Sequence, residues 1–158
     1  MNPNDTYMRD GFVYKAKRRS STIEPWPFFF DGGDRITSDY GEPRPGSTPP
    51  YHTGIDYVPI VSSNREIHIA FSGTVRFAST SEDSVLGYYV QIIPSNGEFD
   101  YDWYEHMLPN LRVRTGQQVI AGDIVGTVGS TGSSTGPHLH YSITKNGVRV
   151  DPHPYLGR

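Results

Sequence analysis

Two short spacings in this 158-residue chain gather side chains that can bind a metal or move a proton. His52-Thr53-Gly54-Ile55-Asp56 sets an imidazole and a carboxylate four residues apart, and His138-Leu139-His140 sets two imidazoles two apart. On a strand, side chains at i and i+2 share a face, so His138 and His140 can converge on one point while Leu139 turns away. The same parity holds for His52 and Asp56 where that segment is extended. Zinc accepts imidazole nitrogen and carboxylate oxygen, and its catalytic sites use three protein ligands and keep a fourth position open. Two imidazoles and a carboxylate leave a net positive centre whose bound water ionises near neutral pH. Neither spacing is specific alone, because H-x-x-x-D arises by chance and H-x-H also decorates exposed hairpins. The run Gly126–Pro137, which carries Gly126, Gly129, Gly132 and Gly136 straight into His138, adds weight. It is no phosphate cradle, since no Lys follows and G-x-x-x-x-G-K-[ST] is absent. It reads as a floppy rim beside a strand that carries chemistry.

The elements that must position these groups read as β-structure. The chain has 12 Val, 11 Ile and 12 Thr against 5 Leu and 4 Ala, with 17 Gly and 13 Pro. β-Branched residues suit a pleated surface, whereas helical domains lean on Leu and Ala. Strands are expected at Ile67–Phe71 and Thr74–Phe77, joined by a turn at Ser72-Gly73. Others are expected at Val85–Ile93, Tyr101–Met107, Val119-Ile120, Ile124-Val125, Thr127-Val128 and His138–Thr144. Asn146-Gly147 turns the last of these into Val148-Arg149-Val150 as a hairpin. Residues 1–50 read as irregular, because Pro25, Pro27, Pro43, Pro45, Pro49 and Pro50 exclude central strands and helix interiors. Trp26, Phe28, Phe29 and Phe30 are expected to pack over one side of the core. The fold class is all-β, an antiparallel β sandwich or half-barrel with long loops. Residues 1–35 are expected to form an irregular N-terminal segment on the core of a domain spanning 36–158.

Composition excludes several functions. Without cysteine there is no disulfide framework, thiolate nucleophile, iron–sulfur site or Cys-based zinc finger. A net charge of -3 gives no basic excess for a nucleic-acid partner. The basic run Lys15–Arg19 reads as a solvated strand end or tail. No stretch approaches the ~18 apolar residues of a membrane span, and Met1–Asp5 lacks the pattern of a secretory signal.

Taken together, the motifs resemble the lysostaphin-type (LytM-domain) zinc endopeptidases of the bacterial cell wall. The matching elements are Ile36–Gly41, His52–Asp56, Ala70–Val75, Tyr104–Met107, Gly116–Val119, Gly126–His140, Lys145-Asn146-Gly147 and Asp151-Pro152, about three quarters of the chain in the family's order. The resemblance implies the family's duplicated hybrid-motif fold and one Zn2+ per chain, held by His52, Asp56 and His140. It implies His106 and His138 as the non-ligand catalytic pair, and peptidoglycan as the partner. The reaction implied is hydrolysis of an amide bond in a peptide cross-link, Gly-Gly or D-amino acid to diamino acid. It further implies work at the cell wall. With no signal peptide, a virion-associated phage protein, a phage tail or lysin component, or a domain cut from a larger hydrolase is expected.

No H-E-x-x-H is present to supply a Glu base, so a neutral imidazole, His106 or His138, is the expected proton acceptor. Glu105 would point away from His106 on a regular strand and is expected in a supporting or surface role. Glu42 and Asp151 read as structural, His68 as a packed or edge residue and His153 as a tail residue. Tyr101, Trp103 and Tyr104 are expected either to line a groove or to pack. Departures from the family lie at Tyr88, in the acidic aromatic stretch Asn96–Trp103 and in the proline-rich 41–50 loop, which is expected to form a groove wall. Two other readings are a LytM-like module without activity that binds wall or activates a hydrolase, and a β-sandwich binding protein with a closed four-ligand structural metal.

Overall fold

The computed structural model describes the strand residues Thr6–Arg9 and Phe12–Lys15 and residues 25–157. The first two segments, β1 (Thr6–Arg9) and β2 (Phe12–Lys15), pair antiparallel with each other. Residues 16–19 of the basic run lie outside the described residues.

The main sheet is antiparallel and eight-stranded. Its order is β3 (Asp34–Ser38), β4 (Ile55–Pro59), β11 (Leu139–Lys145), β8 (Tyr101–Met107), β7 (Tyr88–Pro94), β6 (Gly73–Ala78) and β9 (Gln118–Val119), with β12 (Val148–Val150) also pairing β11. A small sheet pairs β5 (Glu66–His68) with β10 (Ile124–Thr127), and one short helix, α1 (His153–Leu156), follows β12. Asn146 (φ 52°) and Gly147 (φ 77°) both lie in the left-handed region, as a two-residue hairpin turn requires.

Two expectations need correction. Residues 1–50 are not irregular throughout, since β1, β2 and β3 lie within them. β3 is an edge strand exposed along its middle, so it carries no apolar alternation to read. The segments at 67–71 and 74–77 do not form a hairpin. β5 pairs with β10, whereas β6 pairs with β7 and β9. The linking backbone bonds elsewhere, with the N–H of Ile69 donating to Asp123 O and that of Ser95 to Ser72 O. Ile67, His68, Ile69, Ala70 and Phe71 are all buried, a continuously buried run rather than one face of a strand.

Alternation divides the main sheet into two faces. Ile55 and Tyr57 of β4, Leu139, Tyr141 and Ile143 of β11 and Tyr104 of β8 point into the core. There the ring of Phe29 packs 4.8 Å from that of Tyr57 and 4.6 Å from that of Tyr141. Their neighbours Asp56, His140, Trp103 and Glu105 stand on the opposite face. That face is partly roofed by its own long side chains. Arg149 lies 3.9 Å over the Trp103 ring, which stacks on Tyr89, and Ser142 and Thr144 are buried beneath. Tyr104 is therefore a core residue, while Tyr101 and Trp103 are half-buried on the site face.

Among the described residues, one acid lies in the core. Asp102 is fully buried, and its Oδ2 accepts hydrogen bonds from Tyr104 and Tyr141 at 2.9 Å each. Burial pushes its pKa up to about 7 against the pull of those two bonds. A carboxyl whose folded pKa exceeds its unfolded value of about 3.9 binds an extra proton in the native state between those limits. Its contribution to stability is present at acid pH and fades as pH rises toward 7. Asp102→Asn keeps an acceptor for the tyrosines and removes the titration. Thermal unfolding at pH values from about 4 to 8 should show the variant gaining on the wild type as pH rises. Parallel curves would contradict this assignment.

Candidate active site

Pairing between β4, β11 and β8 assembles the site. Asp56 stands opposite His140, and His140 opposite Glu105, so the three side chains form one row across the sheet on its outer face. His52 lies just before β4, its N–H bonded to Glu42 O and its Nδ1 donating to Asp39 O at 2.9 Å. A carbonyl only accepts, so Nδ1 carries the proton and Nε2 offers a lone pair. That Nε2 lies 3.1 Å from His140 Nδ1 and 3.2 Å from Asp56 Oδ1, and His140 Nδ1 lies 2.9 Å from Asp56 Oδ1.

These three atoms fit a metal ion. Bonds of the usual zinc lengths at tetrahedral angles separate donor atoms by about 3.3 Å, close to the sides of this triangle. His52, Asp56 and His140 form the one such metal-binding group among the described residues. Against the opposing effect of burial, the neighbouring His140 and His52 rings hold the Asp56 carboxyl well below the usual carboxylate range. His52 is raised because Asp56 outweighs the opposing burial. Arg44, from the proline-rich loop, donates to Ser38 Oγ and brings Nη2 to 3.9 Å from Asp56 Oδ2.

His106 reaches the same face by breaking the strand's alternation. Tyr88 pairs with Met107 and Val90 with Tyr104, so Glu105 and His106 together oppose Tyr89 in a β-bulge, with His106 at φ 62°. Glu105 keeps the site face that alternation from Trp103 gives it, and the extra residue brings His106 onto that face too, where a regular strand would set the two apart. Both face the site, and Met107 returns to the core. The His106 ring centroid lies 4.9 Å from that of His138 and 6.0 Å from that of His140. His106 Nδ1 donates to Thr131 O at 2.9 Å and His138 Nδ1 to Gly136 O at 2.8 Å. Each ring is thereby oriented with Nε2 free to face a substrate. His138 Nε2 is 3.6 Å from Asp56 Oδ1. Burial lowers the His106 pKa and keeps that imidazole neutral.

The glycine-rich run is a packed rim rather than a floppy one. Thr131 Oγ1 donates to Met107 O and accepts from the N–H of Tyr88, so Thr131 ties the rim to the strands while its carbonyl orients His106. A Cβ on Gly132 would sit 2.3 Å from Gly87 N, and only glycine permits that approach. His68 is buried between Asp31 and the Gly122 carbonyl. His153 is not a loose tail: its Nε2 bonds Asp39 Oδ1 at 2.8 Å, supporting the residue whose carbonyl holds His52.

The sequence reading did not single out Asp39, Thr131, Arg44 or Arg149. Arg149 was recoverable, because a two-residue turn at Asn146-Gly147 sets it opposite Thr144 on the His140 face. The others act through carbonyls or loop reach and leave no spacing signal.

Residues 50–152 match the model of peptidase family M23. The peptidoglycan DD-endopeptidase ShyC of Vibrio cholerae is 40% identical over 101 residues, covering 64% of this chain and 22% of that protein. The murein hydrolase activator EnvC of Escherichia coli is 33% identical over 97 residues, covering 61% of this chain and 22% of that protein. The catalytic domain of lysostaphin from Staphylococcus simulans superposes with a TM-score of 0.65 at 32% identity, covering 78% of this chain and 92% of that domain. The chain thus spans about a fifth of the length of the curated relatives named.

Gly54 tests the metal-binding geometry. A Cβ there would fall 2.5 Å from Tyr141 O and 2.6 Å from His140 Nε2. Gly54→Ala should displace the His140 ring and lower metal bound per purified chain, with far-UV circular dichroism unchanged. Full metal content in that variant would contradict the arrangement.

Proposed function

The chain belongs to peptidase family M23, of the lysostaphin type, and on that premise we propose that it is a zinc-dependent endopeptidase cutting an amide bond in the peptide cross-links of bacterial peptidoglycan. The observation that carries this reading is the division of the histidines. His52 Nε2 and His140 Nδ1 converge with Asp56 Oδ1, while His106 and His138 stand beside them with Nδ1 bound to backbone carbonyls.

His52, Asp56 and His140 would hold the zinc ion, which would supply Lewis acidity toward the scissile carbonyl and lower the pKa of a bound water. His106 takes the proton of the attacking water on Nε2, a role suited to an imidazole that burial keeps neutral. His138, across from it, is placed to steady the oxyanion that develops on the carbonyl. Thr131 and Gly136 hold the two rings so that neither must reorganise during the reaction. The site of action is the cell wall. A module that binds wall or activates a hydrolase without cutting is the competing outcome, and nothing in the arrangement of the five side chains favours it.

Digestion of purified peptidoglycan with mass analysis of the fragments tests the reading. New amino termini should appear, disappear with a chelator and return with zinc. His52→Ala and Asp56→Ala should lose the metal. His106→Ala should keep it and lose about 10²–10⁴-fold in rate. Intact cross-links beside a zinc-loaded chain would overturn the proposal. Ring ¹⁵N NMR of His106 should show the Nδ1–H tautomer at neutral pH, with a titration midpoint below about 6.5. An Nε2–H tautomer would remove it as the base.

A further inference from the structure

Glu105 completes the row begun by Asp56 and His140. It is 4% exposed, stands opposite His140 in the β8–β11 register, and places Oε2 4.0 Å from His140 Nε2. The His140 imidazole therefore lies between two carboxylates, Asp56 on its Nδ1 side and Glu105 on its Nε2 side. A buried carboxylate is costly without a partner, and Glu105 has one. Arg149 Nη2 lies 3.3 Å from Oε1, the guanidinium also donates to Ser142 Oγ, and it is clamped over the Trp103 ring. An imidazole that offers its Nδ1 lone pair to a metal must carry its one proton on Nε2. A fixed negative charge on the Nε2 side favours that tautomer and opposes rotation of the ring.

We propose that Glu105 is a positioning residue, held by Arg149, that keeps the proton of His140 on Nε2 and its lone pair on Nδ1 toward His52 and Asp56. The proposal rests on the reading of those three residues as the metal site.

Competition for zinc with a chromophoric chelator, together with the visible spectrum of the cobalt-loaded protein, tests it. Glu105→Gln should weaken zinc binding by about 10–100-fold and shift the cobalt bands. Glu105→Asp should recover part of the affinity. Should Glu105→Gln fail to fold, because it strands the Arg149 charge, Glu105→Gln with Arg149→Met removes both charges and should show the same loss. Zinc affinity within about twofold of wild type in a folded variant lacking Glu105, well below the loss expected on removing a group that orients a metal ligand, would overturn the proposal. Wild-type protein that binds no zinc, or keeps its zinc in His52→Ala, would instead overturn the metal-site reading.

Discussion

The antiparallel register of β4, β11 and β8 is the constraint on which the rest of the site depends. It sets Asp56 beside His140 and His140 beside Glu105 on one face. Lateral spacing between strands then brings imidazole nitrogen to carboxylate oxygen at 2.9 Å without a flexible loop. A slip of one residue would send His140 into the core and Leu139 into the site. The buried partners Leu139, Tyr141, Ile143, Ile55 and Tyr57 oppose such a slip, because each would have to leave the core. Hydrophobic burial on one face thus specifies the polar geometry on the other.

Regular pairing alone would not suffice. A β-strand offers alternate residues to one face, so His106 next to Glu105 would face the core. The bulge against Tyr89 adds the residue needed to turn it outward. Thr131, from the glycine-rich rim, then orients the ring through its carbonyl. The rim can approach because Gly87 and Gly132 lack a Cβ where their backbones meet. The same logic holds at His52, oriented by the Asp39 carbonyl while His153 braces the Asp39 side chain. Backbone acceptors thus select the tautomer of three imidazoles, and each presents Nε2 toward the site.

The strands and the H-x-H pair were legible because period-two alternation is written directly in residue type, as along Leu139–Thr144. The H-x-x-x-D pair was legible by spacing, although its convergence comes less from strand parity than from Gly54, which lets His52 and His140 close on each other. β3 was not legible, since an exposed edge strand has no apolar face to betray it. Nor was the bulge. Two adjacent polar residues, Glu105 and His106, at the end of an alternating strand are its trace, and they become decisive only once Tyr89 is known to oppose both. The buried run Ile67–Phe71 misled in the opposite direction, because complete burial looks the same whether the chain pairs with its successor or with a distant strand.

The central claim is that three of these side chains bind a metal and two do not. Anomalous diffraction at the zinc edge from crystals of the zinc-loaded protein measures this directly. One zinc is predicted, bonded to His52 Nε2, Asp56 and His140 Nδ1 and open on its remaining side, with His106 and His138 outside bonding distance. A zinc closed by His106 or His138 as a fourth ligand, or no zinc at these residues, would contradict the claim.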